Sequence, residues 1–429
     1  MTAAPRHHDR FASWLRDHAI PLAGLDPDAP LDDLEPLRAA VGDARVVAIG
    51  ENAHFLHEFA LARRRVIRFL VERCGFTVLA FEYGFSEGFT LDSWVQGAGG
   101  EDDLERYAPA AVPFGMGEPL REVRHHNTTA HRPVRFAGVD IPAAGGSLLP
   151  ALIPVADYLR EVDPDLLPLI GSAIQRAERF AGESGAVAAP AWARLPEAEQ
   201  DALSAALSRL LTRFRAVEPL YVSRSDQLAY DTAVRRLEGA CSADYTFRTM
   251  VELFAGRGLT ADTSVRDTYM AGSVRWHLEH TAPQGRIVLV AHNAHIQKTP
   301  VCFDGRLTTF PMGQHLHRAL GDDYFALGLT SIGGHTAEMC LDESARFGFT
   351  VEETPLQPPE PGSIEAAFAD AGLGLSLAAL RPARRPAAEE PTGPDRIRMQ
   401  STFLHTPVLD AFDGILSVPA SSVGADLDL

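Results

Sequence analysis

Arg45-Val46-Val47-Ala48-Ile49-Gly50-Glu51-Asn52-Ala53-His54 is the stretch that decides the fold class. A short apolar run rich in β-branched residues leads directly into a glycine, a glutamate and a histidine. Such a run, followed by a helical pattern, reads as a strand buried on both faces of a parallel sheet. The same pattern returns three times. Thr77-Val78-Leu79-Ala80-Phe81 leads into Glu82, and Val134-Arg135-Phe136-Ala137-Gly138-Val139 leads into Asp140. Arg286-Ile287-Val288-Leu289-Val290-Ala291 leads into His292, Asn293 and His295. Ligands of open α/β sheets bind beyond the carboxyl ends of the strands. Acids and imidazoles far apart in sequence are therefore expected to meet at one sheet edge, a layout suited to catalysis.

Working outward, Phe55 to Cys74 and Phe85 to Gln96 read as helices, the second closed by the loop Gly97-Ala98-Gly99-Gly100. Strand, helix and strand in this order imply right-handed crossovers and a parallel sheet. From Leu148 to Gly256 no strand signal occurs, and segments rich in Ala, Leu, Arg and Glu predict a helical insertion or cap. Helix resumes from Val265 to His280, and later strands are expected at Phe325–Leu329 and Gly414–Val418. Prolines crowd the stretch Thr354 to Pro394, which reads as a surface excursion with one short helix near Ile364 to Ala371. The expectation is an α/β fold, a central mostly parallel sheet flanked by helices, with a helical insertion between the first and second parts of the sheet. Its divisions are 1–147, 148–256 and 257–429.

The chain has 429 residues, 46% hydrophobic and 22% charged, as ordinary globular proteins do. A net charge of -18 argues against nucleic acid or anionic membrane as partners and mildly favours a cationic substrate. No stretch is long and apolar enough to span a membrane, and the N-terminal residues lack the apolar core of a signal peptide. Cys74, Cys241, Cys302 and Cys340 lack metal-ligand spacing, as expected of reduced cytosolic thiols. These readings point to a cytoplasmic protein acting on a small molecule. A monomer is compatible with them, and the oligomeric state is left open. Lys298 is the only lysine, a bias of genome composition rather than of chemistry.

His54 follows Glu51 by three residues at the start of a helix, where the helix terminus adds positive potential. A carboxylate beside an imidazole fixes its tautomer and raises its basicity, as a general base requires. The structural alternative is a capping glutamate beside a packed surface histidine. Glu82, at a buried strand end, must be paired, hydrogen-bonded or protonated, and a plain ion pair with Arg63 is its alternative role. His292, Asn293 and His295 after one buried strand are harder to read as structural. Asn293, Asp140, Tyr83 and Phe55 complete the set as candidate substrate contacts.

Two rival chemistries compete. Gly84-Phe85-Ser86-Glu87-Gly88 matches the nucleophile-elbow pattern, with His292 or His295 as base and Asp140 as orienting acid. The strand, however, ends at Glu82, which carries Ser86 into the following helix. Glu51, His54, Glu82, His292 and His295 also offer donors to zinc or manganese, although no short motif is diagnostic. Neither a metal nor another cofactor is expected. His277 with His280, and the group His125, His126 and His131, read as surface histidines.

The chain resembles the erythromycin esterase family. The resemblance is carried by Ala48-Ile49-Gly50-Glu51-Asn52-Ala53-His54-Phe55-Leu56-His57-Glu58-Phe59, Phe81-Glu82-Tyr83-Gly84-Phe85-Ser86-Glu87-Gly88 and Val139-Asp140-Ile141. Val265-Arg266-Asp267-Thr268-Tyr269-Met270, Ala291-His292-Asn293-Ala294-His295, Met312-Gly313 and Gly321-Asp322-Asp323-Tyr324 continue it. The resemblance implies an α/β core with helical additions and hydrolysis of a macrolide lactone without a covalent serine. On the matching positions it implies His54 as general base, with Glu51, Arg63, Glu82, His292 and His295 completing the site. Two other functions stay open. One is biosynthetic tailoring by lactonisation, dehydration or isomerisation, and the other is sequestration of a ligand without turnover.

Overall fold

A computed structural model describes residues 7–108, 114–257, 262–303, 307–384 and 393–424. The described strands are β1 (Ile20–Pro21), β2 (Val46–Ile49), β3 (Val78–Gly84), β4 (Arg135–Asp140), β5 (Ile287–Val290), β6 (Val301–Phe303), β7 (Leu307–Thr309), β8 (Tyr324–Leu341), β9 (Phe349–Pro355), β10 (Ser376–Ala379), β11 (Arg396–Met399), β12 (Thr402–His405) and β13 (Gly414–Ser421). The main sheet has the order β1-β10-β13-β8-β2-β5-β3-β4. From β13 to β4 every neighbouring pair is parallel, while β10 and β1 extend the sheet antiparallel at one edge.

Period-two alternation explains why these runs are apolar throughout. Val47 and Ile49 of β2 face one core with Phe59, Val66, Phe69 and Leu70 of the helix His57–Cys74. Val46 and Ala48 face the opposite core with Met270, Val274 and Leu278 of the helix Ser264–His280. Each fully buried side chain of this kind contributes about 1.5–3 kcal/mol, so both faces are strongly specified. Because β2, β3, β4 and β5 all run parallel, their carboxyl ends reach the same edge, as the sequence pattern predicts.

The helical region between β4 and β5 runs from the helix Leu149–Val162 to the long helix Gln227–Phe254. It has a core of its own, including Leu152, Leu159, Leu207, Leu210, Phe214 and Leu237, which reaches the sheet through Phe85 and Ile141. Beyond Gly334, β8 leaves the sheet and pairs with β9 as a two-stranded arm. At the arm's tip Ser184 of the helical region donates a 2.6 Å hydrogen bond to the carbonyl of Phe347. Among the described residues no helix is long and apolar enough to cross a membrane.

Several details differ from the sequence expectation. The first long helix begins at His57 rather than Phe55, because Phe55 takes a left-handed φ of 65° and Leu56 is extended. The strands expected at Phe325–Leu329 and Gly414–Val418 are longer, as β8 and β13. The proline-dense stretch holds the helix Ile364–Asp370 and also β10, whose Leu377 and Ala378 are buried in the main sheet. Its residues 385–392 lie outside the described residues. His277, expected at the surface, is buried with its Nε2 3.0 Å from the Gly138 carbonyl. Burial holds it at about 4, so its ring is a neutral core group.

Candidate active site

Gly50 follows β2 directly, where nothing larger fits: a Cβ there would stand 2.0 Å from Asn293 Oδ1. The Glu51–Leu56 loop is then pinned from several sides. Asn293 N–H donates to the Glu51 carbonyl at 2.8 Å, and Asn52 Nδ2 donates to Thr330 Oγ1 at 3.1 Å. Gly424 N–H donates to the Phe55 carbonyl at 2.9 Å, helping to hold a left-handed non-glycine residue that costs roughly 1–2 kcal/mol. Glu51 is consequently buried, with Oε1 accepting from His54 Nδ1 at 2.7 Å and Oε2 2.7 Å from the Arg63 guanidinium. This bond directs the Nδ1 proton of His54 to the carboxylate and leaves Nε2 on the opposite side of the ring.

Glu82 of β3 receives three groups. The Arg266 guanidinium donates to its Oε1 at 2.8 Å, and His295 Nε2 lies 3.4 Å from the same oxygen. The His292 backbone N–H donates to Oε2 at 3.1 Å. Arg266 also binds both oxygens of the fully buried Asp140, at 3.0 and 2.5 Å. Asp267 accepts from His295 Nδ1 at 2.7 Å and from Met312 N–H at 2.8 Å. His292 caps the short helix Asn293–Ile296: its Nδ1 accepts from Ala294 N–H at 3.1 Å, so the neutral ring carries its proton on Nε2. The His54 and His292 rings meet edge to face at 5.4 Å.

Charge counting explains the protonation pattern. Glu51, Glu82, Asp140 and Asp267 supply four negative charges, and Arg63, Arg266 and a protonated His295 supply three positive ones. Arg63 balances Glu51, so the unbalanced negative charge lies in the Glu82, Asp140 and Asp267 group, and Glu82 brings its field to His54. Burial disfavours a charged His54, yet its bond to Glu51 and the fields of Glu51 and Glu82 outweigh this and raise it above the ordinary 6.5. Burial also opposes charge on His295, but Asp267 and Glu82 lift it to about 9. Burial, with repulsion from His54 and His295, pushes His292 down to about 4. Burial opposes charge on both glutamates as well. Arg63 and His54 nevertheless keep Glu51 below its ordinary value, and His295 and Arg266 do the same for Glu82. Near neutral pH the three imidazoles are thus one base-side ring, one neutral donor and one cation.

A cavity of about 470 Å³ opens beside His292 and His295. Arg266 and Asp267 share its polar side. Ile141, Ala144 and Gly145 after β4 form one wall, Gly185 and Met250 of the helical region another, and Val301, Phe303 and Met399 a third.

Five of the sequence-selected residues, Glu51, His54, Glu82, His292 and His295, therefore meet in one network, with Arg63 behind Glu51. Asn293 and Asp140 lie in the framework: Asn293 bonds the backbone of β8 at Leu329, and Asp140 is taken up by Arg266 and the Ile141 N–H. Tyr83 packs against Phe136, and Phe55 stands beside His54 and Phe114, both outside the cavity walls. Arg63 pairs with Glu51 rather than with Glu82, whose guanidinium partner is Arg266. β3 runs to Gly84 rather than ending at Glu82, so Ser86, the second residue of the helix Phe85–Val95, does stand at a strand-to-helix junction, but its side chain is buried rather than presented to the cavity. Among the described residues no three His, Cys, Asp or Glu side chains converge as metal ligands.

Sequence reasoning assigned no role to Arg266 and Asp267. A topological signal was available. A helix that precedes a parallel strand starts at the sheet's carboxyl edge, so the first turn of Ser264–His280 had to arrive there.

Comparison with known proteins agrees with this architecture. The erythromycin esterase family profile matches residues 71–421. Erythromycin esterase type II of Escherichia coli is 37% identical over 415 residues, spanning 96% of this chain and 98% of the relative. Erythromycin esterase type I of Escherichia coli is 32% identical, spanning 92% and 95% respectively. The structure of an erythromycin esterase mutant in its open conformation superposes with a TM-score of 0.87 at 30% identity, covering 94% of this chain and 98% of that one. The chain belongs to the erythromycin esterase family.

Proposed function

We propose that this protein opens the lactone of a macrolide-like natural product by direct attack of water, with His54 as general base. The observation that carries this reading is the 2.7 Å bond between His54 Nδ1 and Glu51 Oε1, backed by Arg63, with the neutral His292 ring alongside. Water gives a proton to His54 Nε2 as its oxygen bonds to the lactone carbonyl carbon. Glu51 stabilises the imidazolium so formed and Arg63 keeps Glu51 ionised. His292 Nε2–H donates to the developing oxyanion, and a neutral donor suits this role because it needs no proton loss. The cationic His295, held between Asp267 and Glu82, adds positive potential at the same point. Collapse breaks the ring C–O bond, and the leaving alkoxide takes the proton back from His54. The product is the ring-opened hydroxy acid, one water heavier than the substrate. The cavity's apolar walls suit a bulky, partly apolar molecule, and the chain's negative charge favours one bearing an amine.

Incubation with a panel of macrolides, read by mass spectrometry, tests the reading. A gain of one water with loss of the lactone is expected for at least one member. Ligand bound stoichiometrically and recovered unchanged across the panel would favour sequestration instead.

A further inference from the structure

The helix Phe85–Val95 lies with its backbone against β4. A Cβ at Gly88 would stand 2.4 Å from Gly138 N, and one at Gly138 2.0 Å from the Gly84 carbonyl. This approach carries Glu87 beneath the turn Pro142–Gly145 that follows β4. The turn is unusual. Ala143 has φ 49° and ψ 34°, Ala144 has φ 46° and ψ 41°, and Gly145 has φ 82°. Three successive residues are left-handed, and two of them carry a Cβ that clashes in that conformation. Glu87 Oε1 accepts the N–H of Ala143, the first of the three, at 2.5 Å. Its Oε2 is buried without a hydrogen-bond partner. Ala144 and Gly145 of this turn, with Ile141 just before it, line the cavity.

We infer that Glu87 is a positioning residue for substrate binding: it holds Ala143 and Ala144 in the left-handed turn that shapes one wall of the cavity. Burial raises Glu87 to about 7, the Ala143 N–H and Arg236 of the helix Gln227–Phe254 favour its charge, and Asp140 of β4 opposes it. Tyr83 of β3 and Tyr269 of the helix Ser264–His280 also face this carboxyl, and burial keeps both phenols neutral. A charged carboxylate accepts an N–H more strongly than its protonated form. As pH rises through about 7 the wall is held more firmly, so KM falls while kcat follows the imidazoles alone. This inference rests on the cavity being the substrate site of the proposed hydrolysis.

Three variants test it: Glu87→Leu, Glu87→Gln, and Glu87→Leu combined with Ala143→Gly and Ala144→Gly. They are read by KM and kcat on a macrolide substrate and by amide hydrogen exchange across 141–146 in the substrate-free protein. Glu87→Leu is expected to raise KM roughly tenfold, the scale of one hydrogen bond to a charged group, with kcat within about twofold and faster exchange in the turn. Glu87→Gln keeps an acceptor and should bind more nearly normally, with a KM that no longer changes between about pH 6 and about pH 8. The two glycines take the left-handed conformation without steric cost and should return KM to within about threefold of the parent. Unchanged exchange in Glu87→Leu, a loss confined to kcat, or failure of the glycine rescue would each overturn the inference. So would a Glu87→Gln variant whose KM keeps the parent's pH dependence. Absence of macrolide turnover in the parent protein would sink the proposed function, while hydrogen exchange would still decide whether Glu87 holds the turn.

Discussion

Replacing Asp267 by asparagine isolates the charge that keeps His295 protonated. His292 and His295 are both half-buried and both feel Glu82, yet one is held at about 4 and the other at about 9. The direct partner that distinguishes them is Asp267, whose Oδ1 lies 2.7 Å from His295 Nδ1. Asparagine is nearly isosteric, and its oxygen can still accept from His295 and from Met312 N–H, so geometry is largely kept while charge is lost. The two rings differ by about 5, and loss of the Asp267 charge should remove about 2 of this, at about 1.4 kcal/mol each. The assay is kcat against pH. The parent should rise as His54 loses its proton, on a limb above the ordinary 6.5, and fall near 9 as His295 becomes neutral. In Asp267→Asn the falling limb should move acidward by about 2 units, costing roughly tenfold in kcat near pH 8. An unmoved falling limb would refute the assignment of His295 as the cation of the site.

Two further outcomes follow from the same network. Arg266→Met leaves the half-buried carboxylate of Glu82 and the fully buried one of Asp140 without their shared guanidinium, and should lower stability by about 3–5 kcal/mol in urea titration. A loss below about 1 kcal/mol would mean that the three-group cluster is not what holds that edge of the sheet together. Ser86→Ala should keep kcat within about twofold, because an elbow nucleophile must be exposed and Ser86, although at the strand-to-helix junction, is buried. Labelling of Ser86 by a fluorophosphonate, with loss of activity, would move the protein to the serine hydrolases.

The six parallel strands, β13 to β4, were legible in the sequence because each is a compact apolar run with no competing period. β10 was not, because Ser376-Leu377-Ala378-Ala379 is short, lacks β-branching and lies among prolines. β1 has only two residues, and β9 is largely exposed, so neither carries a hydrophobic signature. In the site, residues directly following a strand could be located from the strand itself. This is how Glu51, His54, Glu82, His292 and His295 were found. Arg266 and Asp267 sit on a helix whose register against the sheet is set by packing, which periodicity alone does not give. Asn293 looked available for substrate because its partner is a backbone group of β8, more than thirty residues downstream. His277 looked exposed because its acceptor is a backbone carbonyl of β4, and only the fold brings the two together.

The most direct test of the account is the turnover of His54→Asn on a macrolide that the parent protein opens. Asparagine keeps a polar side chain near Glu51 but cannot take a proton from water. Turnover should fall by roughly 10²–10⁴-fold with KM little changed, since His54 acts on the reacting water and not on the substrate's framework. Near-normal kcat in His54→Asn, with the product still one water heavier, would contradict that role.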